Sequence, residues 1–446
     1  MPDQKVSHHQ ADKPVVHTSG EVFSDGSVLE LIQGPDCDLN LLSWDGKSAT
    51  TAGPFVRGDE TFVPLCVDPS ILRSLRLPSK IADYGSTRRL FGEIHDLISQ
   101  ATLAGDGVVV PVTFFVLATW LIDTLPVAPF VWIVAALTAN VSPLKQLLGL
   151  LCRRAFVVSG ISPASFYSLA GLRPTLITEI FEPTRRALNS LRASARHDAL
   201  VTPGGKAIDP FCAKIVFAPE PLRDPASAAF PLELVLPPTP AYLPPLSTPE
   251  AERIVTEYQP KLLLYRLLNR AKVRAPAFDM NQFTVPMQEL AYSFAAPIAD
   301  DDELQGKILP FLKPLDCEIR VDRASLLTAI LLEVLLARCH GTDNRSFPVT
   351  EMTADVNTVL CGRGDAREVR PENIGWILRA LGLHTGFIAG GMKGLPLTSK
   401  VCEKIHNLAA AQGVRTLRQP PEELKCPLCK ALALPQNGLP HMAARS

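Results

Sequence analysis

Basic and polar side chains that can contact nucleic acid are concentrated between residues 363 and 393. The group comprises Arg363, Arg367, Arg370, Asn373, Trp376, Arg379 and Lys393. Arginine and lysine bind phosphate oxygens, and amide and guanidinium groups on a helix can also reach base edges. Because the formal net charge of the chain is −1, nucleic-acid binding would require a local basic surface such as this one.

The elements around these residues would present them on one surface. Apolar periodicity predicts helices over 323–339 and 349–360, followed by a turn over 362–365. A third helix begins at Pro371 and ends near Gly382, and a glycine-containing hairpin and a closing helix follow. This is the order of winged-helix α+β domains, which place the helix after the turn in the major groove. The competing interpretation is a winged helix that only docks protein.

A second signal lies between residues 131 and 154. Residues 131–134 have the pattern of a short buried strand and residues 144–154 that of a helix. The connection between them has the length of G-x-x-x-x-G-K-[ST], a loop that binds nucleotide phosphates. In that frame Asn140 occupies a glycine position and Val141 the lysine position, whereas Ser142 keeps the magnesium-binding hydroxyl. Valine cannot reach the phosphates as lysine does.

Two later segments follow in the order that such a loop requires. Residues 173–179 are predicted to form a strand ending in Thr178-Glu179, where nucleotide-hydrolysing enzymes have Asp-Glu. Glu179 is therefore the candidate catalytic residue, and Thr178 stands in the magnesium-holding position. Residues 213–219 are predicted to form a third core strand. The stretch after it resembles one that, in helicase-like ATPases, carries an arginine contacting a neighbouring subunit's phosphate, but no arginine stands near Ala229 or Phe230 here.

Taken in order, these segments resemble the primase-helicase-associated ATPase domains of phages, plasmids and integrated elements, a P-loop group near the superfamily-three and AAA+ helicases. The resemblance covers roughly residues 91–238. It implies an α/β fold with a P-loop NTPase-like core, a homo-oligomeric motor on DNA, and ATP with magnesium as cofactors. Because the charged residues are replaced, we predict no bound cofactor unless the nucleotide site functions, and ATP hydrolysis near background.

The sequence Gly204-Gly205-Lys206 is predicted to be the turn of a hairpin between residues 199–202 and 207–211. In the helicases that this chain resembles, a hairpin between the second and third core strands carries a lysine into the DNA channel. Lys206 is therefore a DNA-binding candidate. The alternative is an ordinary solvated lysine on a tight turn.

Cys426 and Cys429 are the only closely spaced pair among the ten cysteines. Their C-x-x-C spacing is half of a zinc-binding pattern, and zinc requires four ligands. His441 follows and Cys402 and His406 precede, but no second close pair accompanies them. We therefore predict no metal site, with Cys426 and Cys429 as the candidate ligands if one exists. Scattered cysteines and a polar start without an apolar signal segment predict a cytoplasmic protein.

Composition and the positions of glycine and proline predict the domain boundaries. We expect a disordered tail (1–27), a small β-rich module (28–86), the P-loop-like domain (87–240), a linker and helical region (241–320), the winged-helix-like domain (321–415) and a C-terminal tail with the C-x-x-C sequence (416–446). Prolines cluster between Pro219 and Pro249, so this stretch is the best linker candidate.

The stretch from Val108 to Val141 contains a single charged residue, Asp123, so a membrane hairpin over 108–141 is an alternative. Its first apolar piece is shorter than the ~20 residues that a span needs, and Pro126 and Pro129 interrupt the pattern. A buried helix followed by a buried strand is the favoured interpretation, without a membrane partner.

Two functional hypotheses remain. One is an active ATP-dependent DNA helicase with unusual motifs, acting in DNA replication or mobile-element maintenance. The other is a catalytically degenerate descendant that keeps the fold and binds DNA or a protein partner. The substitutions at Val141 and Thr178 favour the second.

Overall fold

The computed structural model describes residues 14–34, 38–136, 139–159, 167, 169–197, 200–202, 207–222, 231–238, 242–341, 346–365, 367–388, 391–414 and 426–429. The chain forms two compact units, residues 1–315 and 316–446. Each unit is described by itself.

Seven short strands open the first unit. Strands β1 (Val15–Thr18), β6 (Phe55–Arg57) and β7 (Glu60–Pro64) form one sheet, and β2 (Gly20–Val22), β3 (Val28–Gln33), β4 (Leu39–Trp44) and β5 (Ala49–Ala52) form another. Gly46, at φ +97°, makes the turn between β4 and β5 in a conformation that favours glycine. The prediction of a disordered tail over 1–27 is wrong for β1 and β2. These strands are short and half-exposed, and β1 becomes regular only by pairing with β7, some forty residues later.

Three helices follow, namely α1 (Pro69–Ser74), α2 (Thr87–Thr102) and α3 (Asp106–Trp120). Every residue of α3 from Val108 to Trp120 is buried, which explains the absence of charge in this stretch without recourse to lipid. Among the described residues, no helix is both long enough and apolar enough to cross a membrane.

A five-stranded parallel sheet forms the centre of the first unit. Its strands are β8 (Phe130–Ala135), β9 (Ala155–Val158), β10 (Thr175–Glu179), β11 (Ala213–Ala218) and β12 (Leu232–Leu236), in the spatial order β12-β8-β11-β10-β9. Helix α4 (Ser142–Leu151) follows β8, and α5 (Arg185–Ala193) follows β10. Strand β12 lies inside the proline-rich stretch that we predicted to be a linker. The prolines flank an edge strand here, the position in a sheet that tolerates them.

The helices after the sheet are α6 (Thr248–Asn269), α7 (Val285–Ala295), α8 (Asp302–Gly306) and α9 (Leu309–Ser325). The region 241–320, predicted as a linker and helical region, contains these helices, and most of it belongs to the first unit. Leu262, Leu263 and Tyr265 on α6 are fully buried. Helix α6 is thus part of the core rather than a connection between domains.

A buried cluster of charges joins the N-terminal strands to the rest of the first unit. Glu30 on β3 accepts hydrogen bonds from Arg153 Nη2 (2.7 Å), Arg154 Nη2 (2.5 Å) and Arg266 Nε (2.9 Å). Burial raises the pKa of Glu30, but the three arginines outweigh that effect and lower its pKa to about 2. Asp123 pairs with Arg266 and Arg270, so two carboxylates compensate part of the positive charge of the four arginines.

The second unit contains α10 (Leu327–His340), β13 (Ser346–Pro348), α11 (Val349–Gly362), α12 (Pro371–Ala380), β14 (Gly386–Phe387), β15 (Lys393–Pro396) and α13 (Ser399–Ala411). The strands form an antiparallel sheet in the order β13-β15-β14. The single helix predicted over 323–339 is divided, since Leu326 is extended with ψ 134° and separates α9 from α10. Leu335, Phe347, Ile374 and Ile405 share one buried core.

Candidate nucleotide crevice and nucleic-acid groove

The carboxyl ends of the five parallel strands meet at one edge of the central sheet. The chain crosses from β8 to the far strand β9, returns through β10 and β11, and ends at β12 on the other side of β8. Ligands of open parallel sheets bind outside the carboxyl ends where the winding direction reverses. The loop after β8 and the end of β10 are therefore in the place where a nucleotide site belongs.

Glu179, at the end of β10, is paired with a lysine that the sequence analysis missed. Lys145 lies in the first turn of α4, and its Nζ is 2.6 Å from Glu179 Oε1. Both side chains are largely shielded, at 17% and 25% exposure. Lys145 lies three residues after Ser142, outside the motif frame. The candidate catalytic carboxylate is thus held in an ion pair.

The predicted nucleotide-site positions take other roles. Asn140 Nδ2 donates to the carbonyl of Leu243 at 2.5 Å. Val141 precedes α4 without a side-chain cap, and Ser142 is exposed. Pro143 follows at a position where a phosphate-binding helix would offer an N–H. Thr178 is fully buried, and its hydroxyl donates to the backbone carbonyl of Glu179 at 3.5 Å. None of these side chains carries a charge that could bind a phosphate or a magnesium ion.

Val201 and Ile208, on the two arms of the predicted hairpin before β11, exchange backbone hydrogen bonds of 3.0 and 2.8 Å, whereas the turn over 203–206 lies outside the described residues. Lys206 lies outside the described residues, as do Ala229 and Phe230. The position of the Lys206 side chain therefore stays a prediction.

A groove of about 630 Å³ lies between α12 and the β14–β15 hairpin of the second unit. Three of the predicted nucleic-acid contacts, Trp376, Arg379 and Lys393, line it together. Trp376 is 70% exposed, and the Arg379 guanidinium lies 5.6 Å from the centre of its ring. The groove thus combines an aromatic face with cationic groups, the combination that binds nucleic-acid bases and backbone.

The other predicted contacts divide into two kinds. Arg370 and Asn373 are exposed at the start of α12. Arg363 is bound to Glu333, with Nη2 2.6 Å from Oε2, and Arg367 Nε lies 2.8 Å from Asp365 Oδ2. These two arginines are already engaged by carboxylates, so their contribution to a basic surface is smaller than the sequence suggested.

Exposed apolar side chains near the groove were not foreseen. Phe387 is 89% exposed and Met392 is 48% exposed, both in the hairpin region. The sequence signal was the occurrence of a large apolar residue beside glycine-rich turn residues. Such exposure commonly marks a binding surface.

Cys426 and Cys429 do not lie alone. Their sulfur atoms meet ring nitrogens of His340 and His406, and all four atoms are within 4.8 Å of one another. His406 was among the named candidates, whereas His340 was not. We predicted no metal site because the sequence shows no second close pair of ligands. In the structure, two histidines on separate helices supply that second pair.

No family model and no curated protein matches the chain. Among solved structures, the NrS-1 C-terminal region in its A-form apo state is similar with a TM-score of 0.35 and 10% identity, covering 83% of this chain and 97% of that one. The SCCmec type IV Cch active helicase is similar with a TM-score of 0.38 and 9% identity, covering 87% and 80%. Similarity at this level does not define an activity.

Proposed function

We propose that this protein is a helicase- or primase-related, ATPase-like protein that binds DNA through its second unit and does not hydrolyse ATP. In this proposal the first unit is a P-loop NTPase-like core with an N-terminal β-rich module, and the second unit is a winged helix. The observation that carries the proposal is the groove in which Trp376, Arg379 and Lys393 meet.

The crevice supports the loss of hydrolysis. Phosphoryl transfer depends on cationic groups and magnesium aligned on the phosphates. Here Val141 and Thr178 offer neither, and Glu179 is paired with Lys145 instead of being available to a water molecule. The strand, loop and helix that resemble a P-loop thus provide a scaffold without the residues that perform catalysis.

The groove supports DNA as the partner. In a winged helix, α12 would be the helix presented to the major groove and the β14–β15 hairpin would be the wing. Arg379 is the residue on α12 suited to base edges, while Lys393 on the hairpin is suited to a phosphate. Glu372 also lines the groove and tempers its positive charge, which predicts weak and salt-sensitive binding.

A second candidate function is docking of a protein partner by the same surface. The exposed Trp376, Phe387 and Met392 favour it, because aromatic residues and methionine are enriched at the centres of protein interfaces. This alternative requires no duplex affinity.

The deciding experiment is a fluorescence-anisotropy titration of a labelled duplex with the full chain at about 50 and 200 mM salt. We expect binding that weakens with salt. The double variant Arg379→Ala/Lys393→Ala should bind more weakly, with a salt slope lower by about one unit, because Lys393 is the phosphate contact of the two.

Lys400→Ala is the matched control, since Lys400 is an exposed lysine of α13 that does not line the groove. It should leave the affinity unchanged. Flat titrations at both salt concentrations would reject DNA binding and leave protein docking. An equal loss in the Lys400 variant would show that binding is diffuse and does not use the groove.

A further inference from the structure

Two histidines and two cysteines of the second unit converge on one point. His340 is the last residue of α10, and His406 lies in the middle of α13. Cys426 and Cys429 come from a later segment, in which residues 427–429 form a helical turn. The four potential ligand atoms lie within 4.8 Å of one another, although they are brought together from three places in the sequence.

The distances among these atoms suit a tetrahedral metal ion. The two Nε2 atoms are 3.1 Å apart, Cys426 Sγ is 3.4 Å from His406 Nε2, and Cys429 Sγ is 3.2 Å from His340 Nε2. Zinc bonds of about 2.0–2.1 Å to nitrogen and 2.3 Å to sulfur place neighbouring ligands about 3.3–3.8 Å apart in a tetrahedron, the shortest between two nitrogens and the longest between two sulfurs. The observed spacing is close to this requirement.

The hydrogen bonding of His406 prepares its Nε2 for a metal. Its Nδ1 lies 2.7 Å from the backbone carbonyl of Cys402. A carbonyl only accepts, so Nδ1 must carry the proton and Nε2 keeps its lone pair. Metal-bound histidines are usually fixed in this way by a carbonyl or carboxylate behind the ring. His406 is also buried, at 3% exposure, which holds the ring in place.

The donor set determines the kind of metal. Two thiolates with two imidazoles are soft and intermediate ligands, which select zinc over magnesium or calcium. With four protein ligands there is no open position for a substrate, so the ion would be structural.

We propose that His340, His406, Cys426 and Cys429 bind one structural zinc ion. The ion fastens the segment containing Cys426 and Cys429 to α10 and α13, within the unit that carries the groove. This inference concerns a site separate from the groove, and its test involves no DNA.

The test is the zinc content of the purified full chain, measured by mass spectrometry after removal of loosely bound metal. We expect about one zinc ion per chain in the wild type and a loss of zinc in Cys426→Ser/Cys429→Ser. Cys361→Ser is the matched control, because Cys361 is an exposed cysteine on α11 in the same unit. Cys402→Ser should also keep the ion, since only the carbonyl of Cys402 is used.

Cobalt substitution provides a readout that does not depend on the stability of one variant. The cobalt-loaded wild type should show the visible bands of a tetrahedral ion and a sulfur-to-cobalt charge-transfer band. His340→Gln should weaken the visible bands while keeping the sulfur band. A wild type that takes up no stoichiometric zinc or cobalt would overturn the proposal. Retention of zinc in Cys426→Ser/Cys429→Ser, or loss in Cys402→Ser, would overturn the ligand assignment.

Discussion

Arginine is prominent in two regions of this molecule, in opposite environments. In the first unit, Arg153, Arg154 and Arg266 are buried, and Glu30 and Asp123 compensate part of their charge. In the groove of the second unit, Arg379 is exposed, and within the described part of the chain it has no carboxylate partner. The same residue type therefore serves folding in one region and is available for binding in the other.

The ion pair at the carboxyl ends of the central strands lies between these extremes. Lys145 and Glu179 are paired and largely shielded, but they are less deeply buried than the arginine cluster. Such a pair contributes less to stability than a buried cluster and is less available to a ligand than an exposed cation. The comparison teaches that the partner and the burial of a charge, rather than its presence in the sequence, indicate its role.

The largest expected effect comes from Glu30→Gln. Glutamine keeps the size of the side chain but leaves the buried Arg153 and Arg154 without their paired carboxylate, and leaves Arg266 with Asp123 alone. We expect the free energy of unfolding to fall by about 3–5 kcal/mol in urea denaturation at neutral pH. Glu60→Gln, at an exposed glutamate on β7, is the control and should change it little. Equal losses in the two variants would show that the cluster does not anchor the N-terminal strands.

Acid should remove the same stabilisation. The pKa of Glu30 is lowered from 4.5 to about 2, because the three arginines outweigh the effect of burial. A carboxyl group whose pKa is lowered by folding stabilises the fold at any pH above its pKa in the unfolded chain. This contribution, about 3 kcal/mol for Glu30, is lost as the pH falls from about 4.5 towards 2. Asp123 acts in the same direction. Urea midpoints between pH 7 and pH 3 should fall more steeply in the wild type than in Glu30→Gln.

Local patterns carried most of what the sequence predicted. Strand β8 and helix α4 were expected close to where they lie, because burial and periodicity are local signals, although the helix predicted over 144–154 spans Ser142–Leu151. Helix α12 was bounded by Pro371 and Gly382, and Gly382 has φ +67° just beyond its end. The trio of Trp376, Arg379 and Lys393 followed from the predicted order of helices and hairpin.

Long-range pairing accounts for what was missed. Glu30 lies 123 residues from Arg153 and 236 from Arg266, so no local pattern connects them. His340 and His406 are 66 residues apart. Lys145 was overlooked for a different reason, since a motif frame assigns the lysine to one position and ignores a lysine one helical turn later.

Arg363 sharpens the comparison within the second unit. It was predicted to bind DNA, but it is paired with Glu333, whose side chain is only 10% exposed. Arg363→Ala should lower the free energy of unfolding by about 1 kcal/mol and leave duplex affinity unchanged. Arg379→Ala should weaken duplex affinity and leave the free energy of unfolding unchanged. Urea denaturation and anisotropy measured on both variants would test this, and a loss of affinity in Arg363→Ala would place DNA on the turn before α12.

The smallest effect is expected at Lys145. Because the pair with Glu179 is partly exposed, Lys145→Met should change the free energy of unfolding by less than about 1 kcal/mol. A double-mutant cycle with Glu179→Gln would measure the coupling of the two side chains.

ATP with magnesium should not raise the melting temperature of the wild type, of Lys145→Met or of the charge-preserving control Lys145→Arg. The opposite result would be informative. If ATP stabilises the wild type and Lys145→Met abolishes the shift, Lys145 binds phosphate in place of the missing motif lysine. Glu179 would then be released from its ion pair when nucleotide binds, and the crevice would be a working nucleotide site.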